Sequence, residues 1–167
     1  MFEESESDRT RRIGRIESWG NPDFFPRRSS SSRRQPRHPD MTIKLNHTIV
    51  YARDKGASAA FLAEILGLPA PVPFGPFLGV EVENEVTLDF LDADGEIAPQ
   101  HYAFLISEAE FDEIFARIRA RRLPYWADPE QSQRNEINRW GGGRGLYFED
   151  PDGHLLEILT RPYSSED

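Results

Sequence analysis

Cysteine is absent from all 167 residues. The chain can form no disulfide, no thiolate metal site and no cysteine nucleophile, which suits a reducing cytoplasm. Long apolar runs are missing as well. None approaches the roughly 18 residues of a membrane span, and no signal-peptide pattern stands at the first residues. Neither a membrane nor a secretory route is expected. Basic side chains are scarce where a fold is expected. Nine of the 20 Lys and Arg and seven of the 29 Asp and Glu lie in residues 1–40, which leaves 11 basic against 22 acidic in residues 41–167. So acidic a body is a poor partner for nucleic acid, whose phosphates need clustered Lys and Arg.

The length predicts one domain with a tail. Residues 1–40 are predicted to be disordered, because Arg27-Arg-Ser-Ser-Ser-Ser-Arg-Arg-Gln-Pro-Arg37 is polar, low in complexity and unable to bury a core. A solvated tail and a basic arm for nucleic acid or a membrane surface are the two readings, and the first is the simpler. Met41 stands just before the first expected strand and is an alternative start. The folded part is expected over 41–167, with module 1 at about 42–96 and module 2 at about 100–163.

From Thr42 the chain repeats itself weakly but in register. Ile43 to Val50 reads as a strand rich in β-branched residues. A helix is predicted over 54–67, from Asp54 as N-cap to Gly67 as its stop. Pro69, Pro71, Pro73 and Pro76 predict a loop, followed by a hairpin from Leu78–Val82 and Val86–Leu91. The second pass opens on the strand His101–Ile106. A helix is predicted from Ser107 to about Arg121, with Glu110 completing a capping box. Residues 124–144 read as a polar, Gly-rich loop, with a short strand near Trp126.

The chemistry converges on Gly143–Pro162. Leu146-Tyr147-Phe148 reads as a strand, Asp150-Pro151-Asp152-Gly153 as a turn, and Leu155-Leu156-Glu157-Ile158-Leu159 as an apolar strand with a carboxylate at its centre. A charge there is costly unless paired or bound to a metal. Superimposing the halves sets His47 on His101 and Asp89 on Glu157. Each half then offers one imidazole and one carboxylate from apolar strands, a donor set suited to a divalent first-row metal.

Tyr147-Phe-Glu-Asp-Pro-Asp-Gly-His-Leu-Leu-Glu157 resembles the C-terminal signature of the vicinal oxygen chelate superfamily, which includes glyoxalase I, type I extradiol dioxygenases and the fosfomycin and bleomycin resistance proteins. Leu45-Asn-His-Thr-Ile-Val50 and Gln100-His-Tyr-Ala-Phe104 are most similar to its ChaP-like branch, linked to aromatic polyketides. The resemblance implies an α+β fold: two βαβββ modules forming a curved, barrel-like mixed sheet, with helices on its outer face. It also implies a homodimer. It assigns metal binding to His47, His101 and Glu157, with Asp89 at a fourth position where glyoxalase I carries Glu. Asp is shorter by a methylene, so direct ligation and an indirect polar role both stay open there. Tyr147 matches a catalytic phenol that bonds substrate in extradiol enzymes, with an aromatic that simply packs in the sheet as the other reading, and His154 matches a structural part of the signature. Trp126, Arg139, Trp140 and Arg144 are expected either at the cavity mouth, gripping an aromatic or acidic substrate, or in a solvated loop.

The implied activity is that of a metal-dependent dioxygenase using Fe(II), with Mn, Ni or Zn as other options, on an aromatic or polyketide-like small molecule. Its rivals are a glyoxalase-like lyase or isomerase, and an antibiotic-binding protein without turnover.

Overall fold

Helix α1 (Lys55–Leu66) shows how closely local signals set the elements. The Asp54 side chain accepts from the Ala57 N–H at its start, and Gly67 ends it at φ 75°. A side chain there would pay a steric penalty that glycine avoids. The computed structural model describes residues 43–163. The Arg/Ser-rich extension and Met41 lie outside the described residues.

The first module continues from β1 (His47–Ala52) and α1 through β2 (Val72–Phe74), β3 (Phe77–Val82) and β4 (Val86–Asp92). The second runs β5 (His101–Leu105), α2 (Glu108–Ala120), β6 (Tyr125–Trp126), β7 (Gly145–Glu149) and β8 (Leu155–Leu159), with a 3-10 turn at Trp140–Gly142 before β7. Both modules are therefore βαβββ. Their sheets have equivalent orders, β1-β4-β3-β2 and β5-β8-β7-β6. In each, the outer pair is parallel (β1 with β4, β5 with β8) and the other pairs are antiparallel. The architecture is α+β, as two four-stranded mixed sheets that do not close into one barrel.

Alternation along the strands separates two faces. Val50, Ala52, Leu88, Phe90, Phe148, Leu156 and Ile158 point to one side. There they join Phe61, Leu62 and Ile65 of α1 and Phe111, Ile114 and Ile118 of α2 in one buried cluster. The opposite face carries His47, Asp89, His101, Tyr147 and Glu157. The capping box of α2 is present, with Ser107 bonded to the Glu110 N–H and Glu110 to the Ser107 N–H.

Two local expectations differ from the structure. The first strand begins at His47 rather than Ile43, and Ile43 and Leu45 stay exposed. The proline-rich loop contains β2, which pairs with β3 alone. An edge strand tolerates Pro73 because an N–H on its outer side has no ladder partner to lose.

The Asp150–Gly153 turn joins the halves. Asp152 accepts from the Arg53 N–H at 3.1 Å and the Ser58 hydroxyl at 2.7 Å. His154 is fully buried, with Nδ1 accepting from the Gln100 N–H at 3.0 Å. Its Nε2 must then carry the proton, which it donates to the Tyr51 carbonyl at 2.8 Å. The structural role expected of His154 is met.

Candidate metal centre

Glu157 is 2% exposed in the middle of β8. Register brings its neighbours: Ala103 opposes it on β5, two residues beyond His101, and Tyr147 opposes it on β7. Trp126 of β6 in turn opposes Tyr147. His101 Nε2 lies 3.1 Å from Glu157 Oε2, while Nδ1 lies 3.0 Å from the Leu155 carbonyl oxygen. A carbonyl can only accept, so Nδ1 carries a proton. A neutral ring would then set the Nε2 lone pair against a carboxylate. The gap calls for a cation, either a second ring proton or a metal ion. In the absence of metal, hydrogen bonding to Glu157 raises the His101 pKa, more than partial burial lowers it.

This donor set fits a divalent metal. Imidazole and carboxylate suit first-row ions, and a ligating histidine usually donates its other ring N–H to a carbonyl or carboxylate, as His101 does. No three His, Asp or Glu side chains among the described residues converge to hold one ion. The single chain thus joins His101 to Glu157 but does not gather His47 with them. His47 is exposed at the start of β1, its Nδ1 2.9 Å from Asn46 Oδ1.

Module 1 repeats the frame nonetheless. His47 opposes Thr87, and Asp89 lies two residues further along β4, as Glu157 lies two beyond the partner of His101. One rung differs. Gly79 opposes Asp89 where Tyr147 opposes Glu157. A Cβ at Gly79 would come within 3.3 Å of Asp89 Oδ1 and 3.0 Å of Thr87, so glycine leaves room for the buried carboxylate.

Aromatic rings enclose the Glu157 side. His101 and Tyr147 stack at 5.9 Å, and Trp140 lies 6.3 Å from Tyr147 and 6.0 Å from Tyr163. The Tyr163 hydroxyl donates to Glu157 Oε1 and lies 3.1 Å from the Tyr147 hydroxyl. Burial raises both phenol pKa values, so both rings stay protonated donors at neutral pH. Tyr163 was not singled out in the sequence. Its one signal there is an aromatic just past the Arg161-Pro162 end of β8.

Trp140 owes its place to a close backbone approach. A Cβ on Gly143 would meet Thr160 Oγ1 at 2.9 Å and Arg161 Cβ at 3.0 Å. The loop carrying Trp140 therefore lies tight against the end of β8. Arg144 turns elsewhere: it pairs with Glu108 and Asp112 at 2.6 Å each and covers the Phe111 ring at 4.3 Å. It braces α2 and leaves the substrate side to others. Arg139 is exposed, and no helix among the described residues is long and apolar enough to cross a membrane.

The family model described as glyoxalase/bleomycin resistance protein/dioxygenase superfamily matches residues 44–158. Two solved structures, the oxidases ChaP-H1 and ChaP-H2, are each 62% identical to this chain. ChaP-H1 aligns over 74% of this chain and 99% of its own at a TM-score of 0.73, and ChaP-H2 over 76% and 100% at 0.74. The glutathione transferase FosA of Serratia marcescens is 30% identical over 125 residues, 71% of this chain and 81% of its own.

Proposed function

The chain belongs to the glyoxalase/bleomycin resistance protein/dioxygenase superfamily, in its ChaP-like branch, and from that premise we propose a metal-dependent oxidase of an aromatic, polyketide-like small molecule. One observation carries the metal: His101 Nε2 faces Glu157 Oε2 at 3.1 Å with its other nitrogen already committed as a donor. A divalent ion held there, with Fe(II) favoured, would act as a Lewis acid on vicinal substrate oxygens. The Leu155 carbonyl fixes the ring of His101. Trp140, which is exposed, offers a flat apolar face to an aromatic substrate, and the buried Tyr147 ring helps exclude water from Glu157. The Tyr147 hydroxyl, kept protonated, lies 3.1 Å from the Tyr163 oxygen and would turn from it to donate to an oxyanion developing beside it. Zero cysteines accord with a reducing, cytoplasmic setting.

His47 finds its place in a second copy. It and the His101–Glu157 pair stand on the same kind of sheet face, which also exposes Tyr51 and Leu105. An isologous homodimer would cover such a face and set the His47 of one chain against the Glu157 of the other, twice. Asp89, shorter and opposed by Gly79, is left without a firm bond to the ion.

Complementation tests the reading. His47→Ala and Glu157→Ala should each lose metal and O2 uptake with a naphthol-like substrate. Refolded together at equal amounts, they should regain about a quarter of wild-type sites, because half the dimers are mixed and each mixed dimer keeps one intact site. No recovery would sink the shared site, and no metal in iron-loaded wild type would favour a binding protein without turnover. The likeness to FosA supports a second reading, thiol transfer, which conjugate formation without O2 uptake would favour. A glyoxalase-like isomerase would likewise turn over without O2, with Asp89→Asn losing the metal.

A further inference from the structure

The two oxygens of Glu157 have different partners. Oε2 faces His101, and Oε1 accepts from the Tyr163 hydroxyl. We propose that Tyr163 is a positioning residue that restricts Glu157 to a one-oxygen grip on the ion. This rests on the metal-centre reading above and adds a residue to it.

The order of bonds decides which phenol matters. An ionised carboxylate has no proton to give, so Tyr163 donates to Glu157. The Tyr163 oxygen can then accept from the Tyr147 hydroxyl, 3.1 Å away. Tyr163 touches the carboxylate, and Tyr147 touches Tyr163. A buried carboxylate needs both oxygens satisfied, and among the described residues no buried side-chain polar atom is left without a partner. With Oε1 held, only Oε2 is turned toward His101. Without the phenol O–H, Oε1 is released and the carboxylate can rotate to offer both oxygens.

The chain path makes this placement specific. The Thr160 N–H still donates to the Arg144 carbonyl just before β7, but Pro162 has no N–H with which to continue a ladder. The chain leaves the sheet there, and Tyr163 returns to the carboxylate six residues behind it. Trp140, seated by the Gly143–Arg161 contact, flanks its ring at 6.0 Å.

Cobalt(II) binding to metal-stripped, full-length protein tests the assignment by equilibrium dialysis and visible absorption. Wild type should bind the ion and Glu157→Gln should lose it. Tyr163→Phe, at a half-exposed position outside the core, should keep the fold and the stoichiometry. It should bind about tenfold or more weakly, as loss of a group that orients a ligand does, and its absorption band should change as the coordination changes. Tyr147→Phe should leave both nearly unaltered. Wild-type affinity and band in Tyr163→Phe, beside loss in Glu157→Gln, would overturn the role of Tyr163 and leave the metal centre standing. An equal effect from Tyr147→Phe would also overturn it. Wild type that takes up no cobalt would remove the metal centre itself, and this inference with it.

Discussion

His154→Ala should destabilise the fold without touching the proposed metal chemistry. The ring is 1% exposed. It satisfies the Gln100 N–H through Nδ1 and the Tyr51 carbonyl through Nε2, and meets the Tyr102 ring edge-on at 6.0 Å. Each buried backbone group left without a partner costs about 1–3 kcal/mol. Both lie at part-buried positions where water can replace some of what is lost, which favours the low end. Adding the vacated ring volume, the expected loss is about 2–4 kcal/mol, against a total of about 5–15 for a domain. Urea unfolding should show a lower midpoint at an unchanged slope. At low temperature, where the variant stays folded, metal content should match wild type. A loss under about 1 kcal/mol would refute the reasoning, since the vacated ring volume and two weakened backbone bonds should together cost more. Metal loss in the folded variant would refute the separation of the joint from the site.

Gly143→Ala should push the Trp140 loop off Thr160 and Arg161 while leaving the fold and metal content in place. Affinity for 1-naphthol, followed by tryptophan fluorescence, should fall about two- to twelvefold, the worth of one aromatic contact of ~0.5–1.5 kcal/mol. Unchanged affinity would exclude Trp140 from the binding wall. The His101–Glu157 pair predicts a pH dependence in metal-free protein. The folded pKa of His101 is raised from 6.5, so its stabilisation is full below the unfolded value and lost as pH rises through the folded one. The stability gap between wild type and His101→Gln should therefore be larger near about pH 5.5 than about pH 8.5. It should also be small, because the ring is 38% exposed and solvent screens it. A gap that grew with pH would show that the pair is not held by the charged ring.

Local signals placed most of the fold. Asp54, Gly67 and the Ser107–Glu110 box mark helix ends by bonds within three or four residues, and such bonds are visible in one dimension. The repeat was legible for the same reason, since His101 and Glu157 sit at fixed offsets within apolar strands. Strand β2 was hidden because proline argues against a strand until one knows that it lies on an edge. Arg144 looked like a substrate grip, yet its partners Glu108 and Asp112 lie over 30 residues away, and only the packing of α2 beside β7 brings them near. Tyr163 escaped notice because its role depends on where the chain turns after β8. The expected meeting of His47 with Glu157 is absent from the single chain, and under the proposed homodimer it would depend on assembly, which one chain's spacing cannot encode.

Gly79 stands where Tyr147 stands in the other half, and this one rung has a consequence for how the protein can change. The two modules share a frame, yet only one carries a phenol beside its carboxylate. If each catalytic chamber takes one module from each of two chains, both chambers are identical however far the halves diverge. A substitution in β7 then alters substrate chemistry in both chambers at once, while β3 is answerable only to fit around Asp89. Apart from His47, the first half then answers to shape more than to substrate chemistry. Laboratory selection for new substrates should accordingly gather changes on the second module and spare the first.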